Sequence, residues 1–112
     1  MPQEQFGLRR ASLPDRLLEL PPSIFNPNRI RIMLALYYET GADFTELKKK
    51  LNLSDGALAT HLKALLRDEL IATQPDRSGS RERTAYLITP KGLQTIDKLL
   101  NEFENIRKAI PE

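Results

Sequence analysis

The chain has 112 residues, enough for one domain, with 40% apolar and 29% charged residues. That balance excludes a wholly disordered chain. The absence of cysteine excludes disulfides and thiolate metal sites. No apolar run approaches the length of a membrane span, and no apolar signal core opens the chain, so a cytoplasmic protein is expected.

The net charge is only +2, but it is unevenly spread. Between Lys48 and Lys91 there are nine Lys/Arg against five Asp/Glu, and the ends of the chain are slightly acidic. A basic middle suits a polyanion-binding surface, although ordinary solvated faces would give the same count.

Residues 1–25 read as an N-terminal arm. They hold Pro2, Pro14, Pro21 and Pro22, which confine any helix to one or two turns over Asp15–Leu20. Leu13, Leu17, Leu18 and Leu20 are too apolar to be left in water, and are expected to dock on the domain or on a second subunit. Asn26-Pro27 is a favoured helix start. Ile30, Met33, Leu34 and Tyr37 then recur at helical spacing until Gly41. A second helix is predicted from about Phe44 to Leu51, with Lys48, Lys49 and Lys50 at its end, where cations suit the dipole. After a tight Asn52-Leu53-Ser54 connection, Ser54 caps a third helix running to about Glu69, with Leu58, Leu62 and Leu65 on one face.

The periodicity then changes. Leu70–Thr73 and Thr84–Ile88 are β-prone, and the polar stretch 75–83 between them carries turn chemistry. This predicts a hairpin with a long basic tip. Thr89-Pro90 opens a last helix striped with Leu93, Ile96, Leu99, Leu100, Phe103 and Ile106, which Gly92 in its first turn should weaken slightly.

Two helices joined by a tight turn and followed by a hairpin form the order of a DNA-binding helix-turn-helix with a wing. The fold class expected is therefore mainly α with a β-hairpin wing. The N-terminal arm spans 1–25, the winged helix-turn-helix domain 26–89, and a C-terminal dimerisation helix 90–112. The stretch Leu47–Ser54 followed by Leu58–Leu65 resembles the helix-turn-helix of ArsR- and MarR-type winged-helix repressors. Glu69-Leu70-Ile71 sits where that superfamily usually has Gly-Leu-Ile, and Tyr86–Gly92 is similar to the motif that ends its wing. The resemblance covers about residues 26–108. It implies a double-stranded DNA partner and a transcriptional regulator, and it places parts of the third helix toward the major groove. Two departures stand out: Glu69 replaces the usual glycine, which should loosen the turn, and no cysteine cluster is present for thiolate metal sensing.

On that helix the candidate DNA contacts are Ser54, Asp55, Gly56, Ala57, Thr60, His61 and Lys63. They lack the Arg, Asn or Gln that give the best bidentate base contacts, so much of the affinity should come from phosphates and DNA shape. His61 is the only histidine, which argues against a metal site and for a phosphate or base contact. On the wing, Arg77, Arg81 and Arg83 are expected to probe phosphates or the minor groove. Lys48–Lys50 could touch the backbone or simply end in solvent. Leu17, Leu18, Leu93, Ile96, Leu99, Leu100, Phe103 and Ile106 are the candidate homodimer surface, although the stripe from Leu93 to Ile106 could instead pack on its own domain or bind another protein. No motif supports catalysis, no cofactor is implied, and no effector-binding residue can be named. The alternative from a different class is a winged-helix protein-interaction module that does not bind DNA.

Overall fold

The computed structural model describes residues 15–111. A short helix α1 (Asp15–Leu18) and a 3-10 turn (Pro22–Ile24) precede three longer helices: α2 (Pro27–Glu39), α3 (Phe44–Leu51) and α4 (Asp55–Arg67). The antiparallel strands β1 (Ile71–Asp76) and β2 (Arg83–Ile88) follow, and α5 (Pro90–Ala109) closes the chain.

Each of the four longer helices, α2 to α5, begins where a side chain satisfies its orphan amides. Asn26 Oδ1 accepts from the amides of Asn28 at 2.9 Å and Arg29 at 3.2 Å. Asp43 forms a reciprocal box with Glu46, its Oδ1 accepting at 2.8 Å and its amide donating to Glu46 Oε1 at 2.9 Å. Ser54 Oγ accepts from Ala57 N at 3.2 Å, and Thr89 Oγ1 from Gly92 N at 2.9 Å.

The stops of α2, α3 and α4 share a different device. Thr40 at φ 51°, Asn52 at φ 55° and Glu69 at φ 60° all take the left-handed conformation. Glu69 therefore does not loosen the turn as expected. It adopts the glycine-like geometry at a local cost, and Leu70 N still donates to Leu65 O at 3.0 Å.

The core is built from one face of each helix. Ile24, Ile32, Met33, Leu36, Leu47, Leu58, Leu65, Leu70, Ile71 and Leu99 are fully buried. Each such side chain contributes about 1.5–3 kcal/mol by leaving water. On α2 this face is Ile32, Met33 and Leu36, whereas Leu34 and Tyr37 lie at the surface. Leu17, Leu20 and Ile24 belong to the same core, so the described end of the N-terminal segment packs into the domain. Leu13 lies outside the described residues.

The hairpin pairs from Ile71 with Ile88 to Asp76 with Arg83, leaving a tip of residues 77–82. β1 runs farther than the β-prone stretch Leu70–Thr73 because Pro75 sits at an edge, where its missing amide breaks no ladder. A bridge between Ala42 and Tyr86 flanks β2, with hydrogen bonds of 2.8 and 3.1 Å. At the hairpin base, Leu70 O accepts from Thr89 N at 3.1 Å and Thr89 Oγ1 donates to Glu69 O at 2.7 Å. Helix α5 lies close against this clamp. A Cβ on Gly92 would stand 2.1 Å from Leu70 O, so this glycine does not merely weaken the helix, as expected, but permits its approach.

Among the described residues, no helix is long and apolar enough to cross a membrane. No group of three His, Cys, Asp or Glu among them could hold a metal.

Candidate nucleic-acid interface

Helix α4 is divided lengthwise. Leu58, Leu62 and Leu65 are buried, while Gly56, Ala59, Thr60, Lys63 and Arg67 form an exposed stripe at helical spacing on the other side. Ala59 and Arg67 join this stripe beyond the expected contacts, and the same spacing that marks the buried leucines points to them. A Cβ on Gly56 would meet nothing within 4 Å, so the chain itself places no demand for glycine there. Thr60 Oγ1 is turned back onto Gly56 O at 2.9 Å.

His61 departs from its expected role. Its Nδ1 accepts from Arg29 Nε at 3.1 Å, while an Arg29 guanidinium nitrogen also donates to Ser23 O at 3.3 Å. The imidazole is half-buried against α2, off the exposed stripe. Burial, and secondarily the Arg29 charge, hold its pKa below the usual 6.5. Through Arg29 its ring ties α4 to α2 and to the 3-10 turn. Sequence spacing could not reveal this, because it depends on Arg29, which lies on another helix. Arg31 braces the turn in a similar way, donating to Leu51 O at 3.0 Å and to Asn28 Oδ1 at 2.9 Å.

Several expected contact residues are already engaged within the chain. Ser54 serves as the cap of α4. Asp55 pairs with Lys48 Nζ at 2.9 Å, across the helix-turn-helix. On the wing, Arg77 donates twice to Glu82 Oε1, at 3.3 and 3.1 Å. Arg83 does not reach outward from the tip. It closes on Asp43 Oδ2 at 3.1 Å, and thereby fastens β2 to the start of α3. Asp76 Oδ1 accepts from Ser78 Oγ at 2.7 Å and its amide at 3.0 Å, which shapes the tip and holds the Asp76 carboxyl below its usual range. Among the described residues Arg81, Lys63 and Lys49 pair with no carboxylate. Arg81 and Lys49 line an open cleft of about 570 Å³ between α3 and the wing. Lys50 pairs with Glu39.

The expected dimer residues also separate. Leu17 and Leu99 are buried within their own chain, and Ile96 packs partly against that core. Leu18, Leu93, Leu100, Phe103 and Ile106 stay exposed, as do Tyr37 and Tyr38 on α2. The side of α5 turned to its own domain is Gly92, Thr95, Leu99 and Glu102. Small and polar positions face inward, and most of the apolar stripe faces out.

A helix crossed by a preceding helix, exposed along one stripe and followed by a clamped basic hairpin, defines a winged helix-turn-helix. Residues 28–107 match the family described as the winged helix DNA-binding domain, and the chain belongs to that family. The family is a DNA-binding one and is not enzymatic. An uncharacterised protein of Methanocaldococcus jannaschii is 34% identical over 82 residues, which are 73% of this chain and 89% of that protein. Among solved structures, a transcriptional regulator homologue from Pyrococcus horikoshii is similar with a TM-score of 0.72 and 28% identity. That match covers 85% of this chain and 96% of the other. The fold also matches MepR of S. aureus in complex with DNA, with a TM-score of 0.67 and 18% identity over 83% of this chain and 73% of MepR.

Proposed function

We propose that the protein is a transcriptional regulator that binds double-stranded DNA in a sequence-dependent way, as a homodimer. The observation that carries the reading is the exposed stripe of α4. Gly56 and Ala59 leave room for close approach to base edges and thymine methyls, Thr60 offers a hydroxyl, and Lys63 and Arg67 supply charge. Inserted in the major groove, this helix would leave Arg81 on the wing to meet flanking phosphates or the minor groove. Direct readout is modest with this residue set, so phosphate contacts and DNA shape carry much of the affinity.

The homodimer reading rests on α5. Leu93, Leu100, Phe103 and Ile106 are exposed, Leu93 and Leu100 along a cleft shared with Tyr37 and Tyr38 of α2, and an apolar stripe of that length on a small domain is stable when a partner covers it. A second copy packed about a two-fold axis would set two α4 helices toward half-sites about one helical turn, or a multiple of it, apart.

The competing reading is a protein-interaction module, favoured by the internal pairing of Lys48, Arg77 and Arg83. Fluorescence anisotropy with random-sequence duplex across a salt series separates the two. Regulator binding weakens linearly in log–log form, and Arg81→Ala makes the slope shallower by about 0.9, one phosphate contact. Absence of binding at low salt by folded protein would overturn the regulator reading and favour the module.

A further inference from the structure

We infer that Glu82 and Asp55 act as built-in phosphate substitutes, occupying Arg77 and Lys48 so that affinity for arbitrary duplex DNA is held down. The inference rests on the DNA-binding reading and deepens it. Among the described residues, five carboxylates pair with cations between α3 and the wing: Glu39 holds Lys50, Asp68 holds Arg67 at 3.6 Å, and the other three are not equivalent. Asp43 is only 12% exposed, caps α3 with one oxygen and holds Arg83 with the other. Its removal would disturb the fold. Glu82 and Asp55 are 62% and 73% exposed, and among the described residues neither carboxylate accepts a hydrogen bond from any group but its cation. Ion pairs so open to solvent add little to stability. What they do change is the charge available to a polyanion.

DNA affinity grows with the number of phosphates neutralised, because each releases condensed counterions. A cation already held by a carboxylate releases none until the carboxylate lets go. The stranded carboxylate then lies within a Debye length, about 10 Å at 0.1 M salt, of the incoming phosphate and repels it. Glu82 engages Arg77 through two donors at the wing tip, and Asp55 engages Lys48 at 2.9 Å where α4 begins. Both pairs stand on surfaces that DNA would approach. Glu82→Gln and Asp55→Asn keep the shape of the side chains and remove the competing charge.

The test is anisotropy with a random-sequence duplex over a salt series, comparing wild type, E82Q, D55N and E104Q. Glu104 pairs with Arg107 near the far end of α5, so E104Q makes the same change in net charge away from the wing. Far-ultraviolet circular dichroism and melting confirm that each variant is folded. E82Q and D55N should each bind about 3- to 10-fold tighter near 0.1 M salt, with slopes steeper by about 0.9, while E104Q stays within about twofold of wild type. Gains by E82Q and D55N no larger than that of E104Q would overturn the inference and leave the DNA reading standing. A loss of affinity on D55N would overturn it for Asp55, and would assign that carboxylate to base contact, as when an Asp accepts from a cytosine amine. No binding by any of the four at low salt would overturn the DNA reading itself, and the inference with it.

Discussion

Replacing Gly92 by alanine probes the contact that seats α5. The new Cβ would stand 2.1 Å from Leu70 O, 2.8 Å from Ile88 Cγ1 and 3.1 Å from Leu70 C. Comfortable heavy-atom contacts lie near 3.5 Å, so the helix must retreat by about an ångström. Leu70 is fully buried, and its carbonyl is also the acceptor for Thr89 N, so the first atom struck is backbone that cannot rotate away. Overpacking of this kind costs about 1–3 kcal/mol. Losing the Thr89 amide bond would leave a buried carbonyl unpaired, at a further ~1–3 kcal/mol. Better helix propensity returns ~1 kcal/mol. The net expectation is a loss of about 1–5 kcal/mol, or roughly 4–20 °C in Tm for a domain of this size. Gly56→Ala is the matched control, because its Cβ meets open space and its helix should gain up to ~1 kcal/mol. Thermal and urea unfolding followed by circular dichroism measure both. A G92A variant melting within roughly 2 °C of wild type, or above it, would refute the reasoning.

Glu69→Gly should stabilise the fold by about 1 kcal/mol, since it relieves a left-handed backbone that only glycine adopts freely, and Glu69→Ala should give no such gain. The same unfolding curves decide this. His61 should titrate below 6.5 by NMR and keep Nδ1 unprotonated in the folded state. The unfolded chain binds that proton more readily, so this residue's contribution to stability is complete above pH 6.5 and is lost as pH falls from there toward the folded pKa. A folded-state value at or above 6.5 would contradict the Arg29 contact. Asp43→Ala removes a helix cap and the anchor of Arg83 together, and should cost about 1–2 kcal/mol. Hydrogen exchange should rise at the α3 amides and in β2, and an increase confined to α3 would show that Arg83 does not fasten the wing.

Much of this architecture is legible in the chain because its signals are local. Asn26-Pro27, Ser54 and Thr89-Pro90 begin helices where their own amides need caps, and the leucines at 58, 62 and 65 mark the inward face of α4. The functional surface is less legible, because its state depends on partners distant in sequence. Nothing near His61 signals that Arg29 occupies it, and nothing near Arg83 signals Asp43. Arg77 and Glu82 lie five residues apart, and only the hairpin tip brings them together. The α5 stripe misleads for a related reason. Its apolar positions suggest one surface, but the close approach at Gly92 fixes which of them turn inward, and so separates Leu99 from Leu93, Leu100, Phe103 and Ile106.

The hairpin is fastened at its base through Thr89 and Leu70 and along its flank through Ala42 and Tyr86, whereas a Cβ at Gly79 would touch nothing. Length at the tip is therefore nearly independent of the rest of the molecule. Doubling a flexible loop costs only about 0.6 kcal/mol in closure entropy. A lineage could lengthen or shorten this finger, and so change how far along a duplex the protein reaches, without renegotiating its interior.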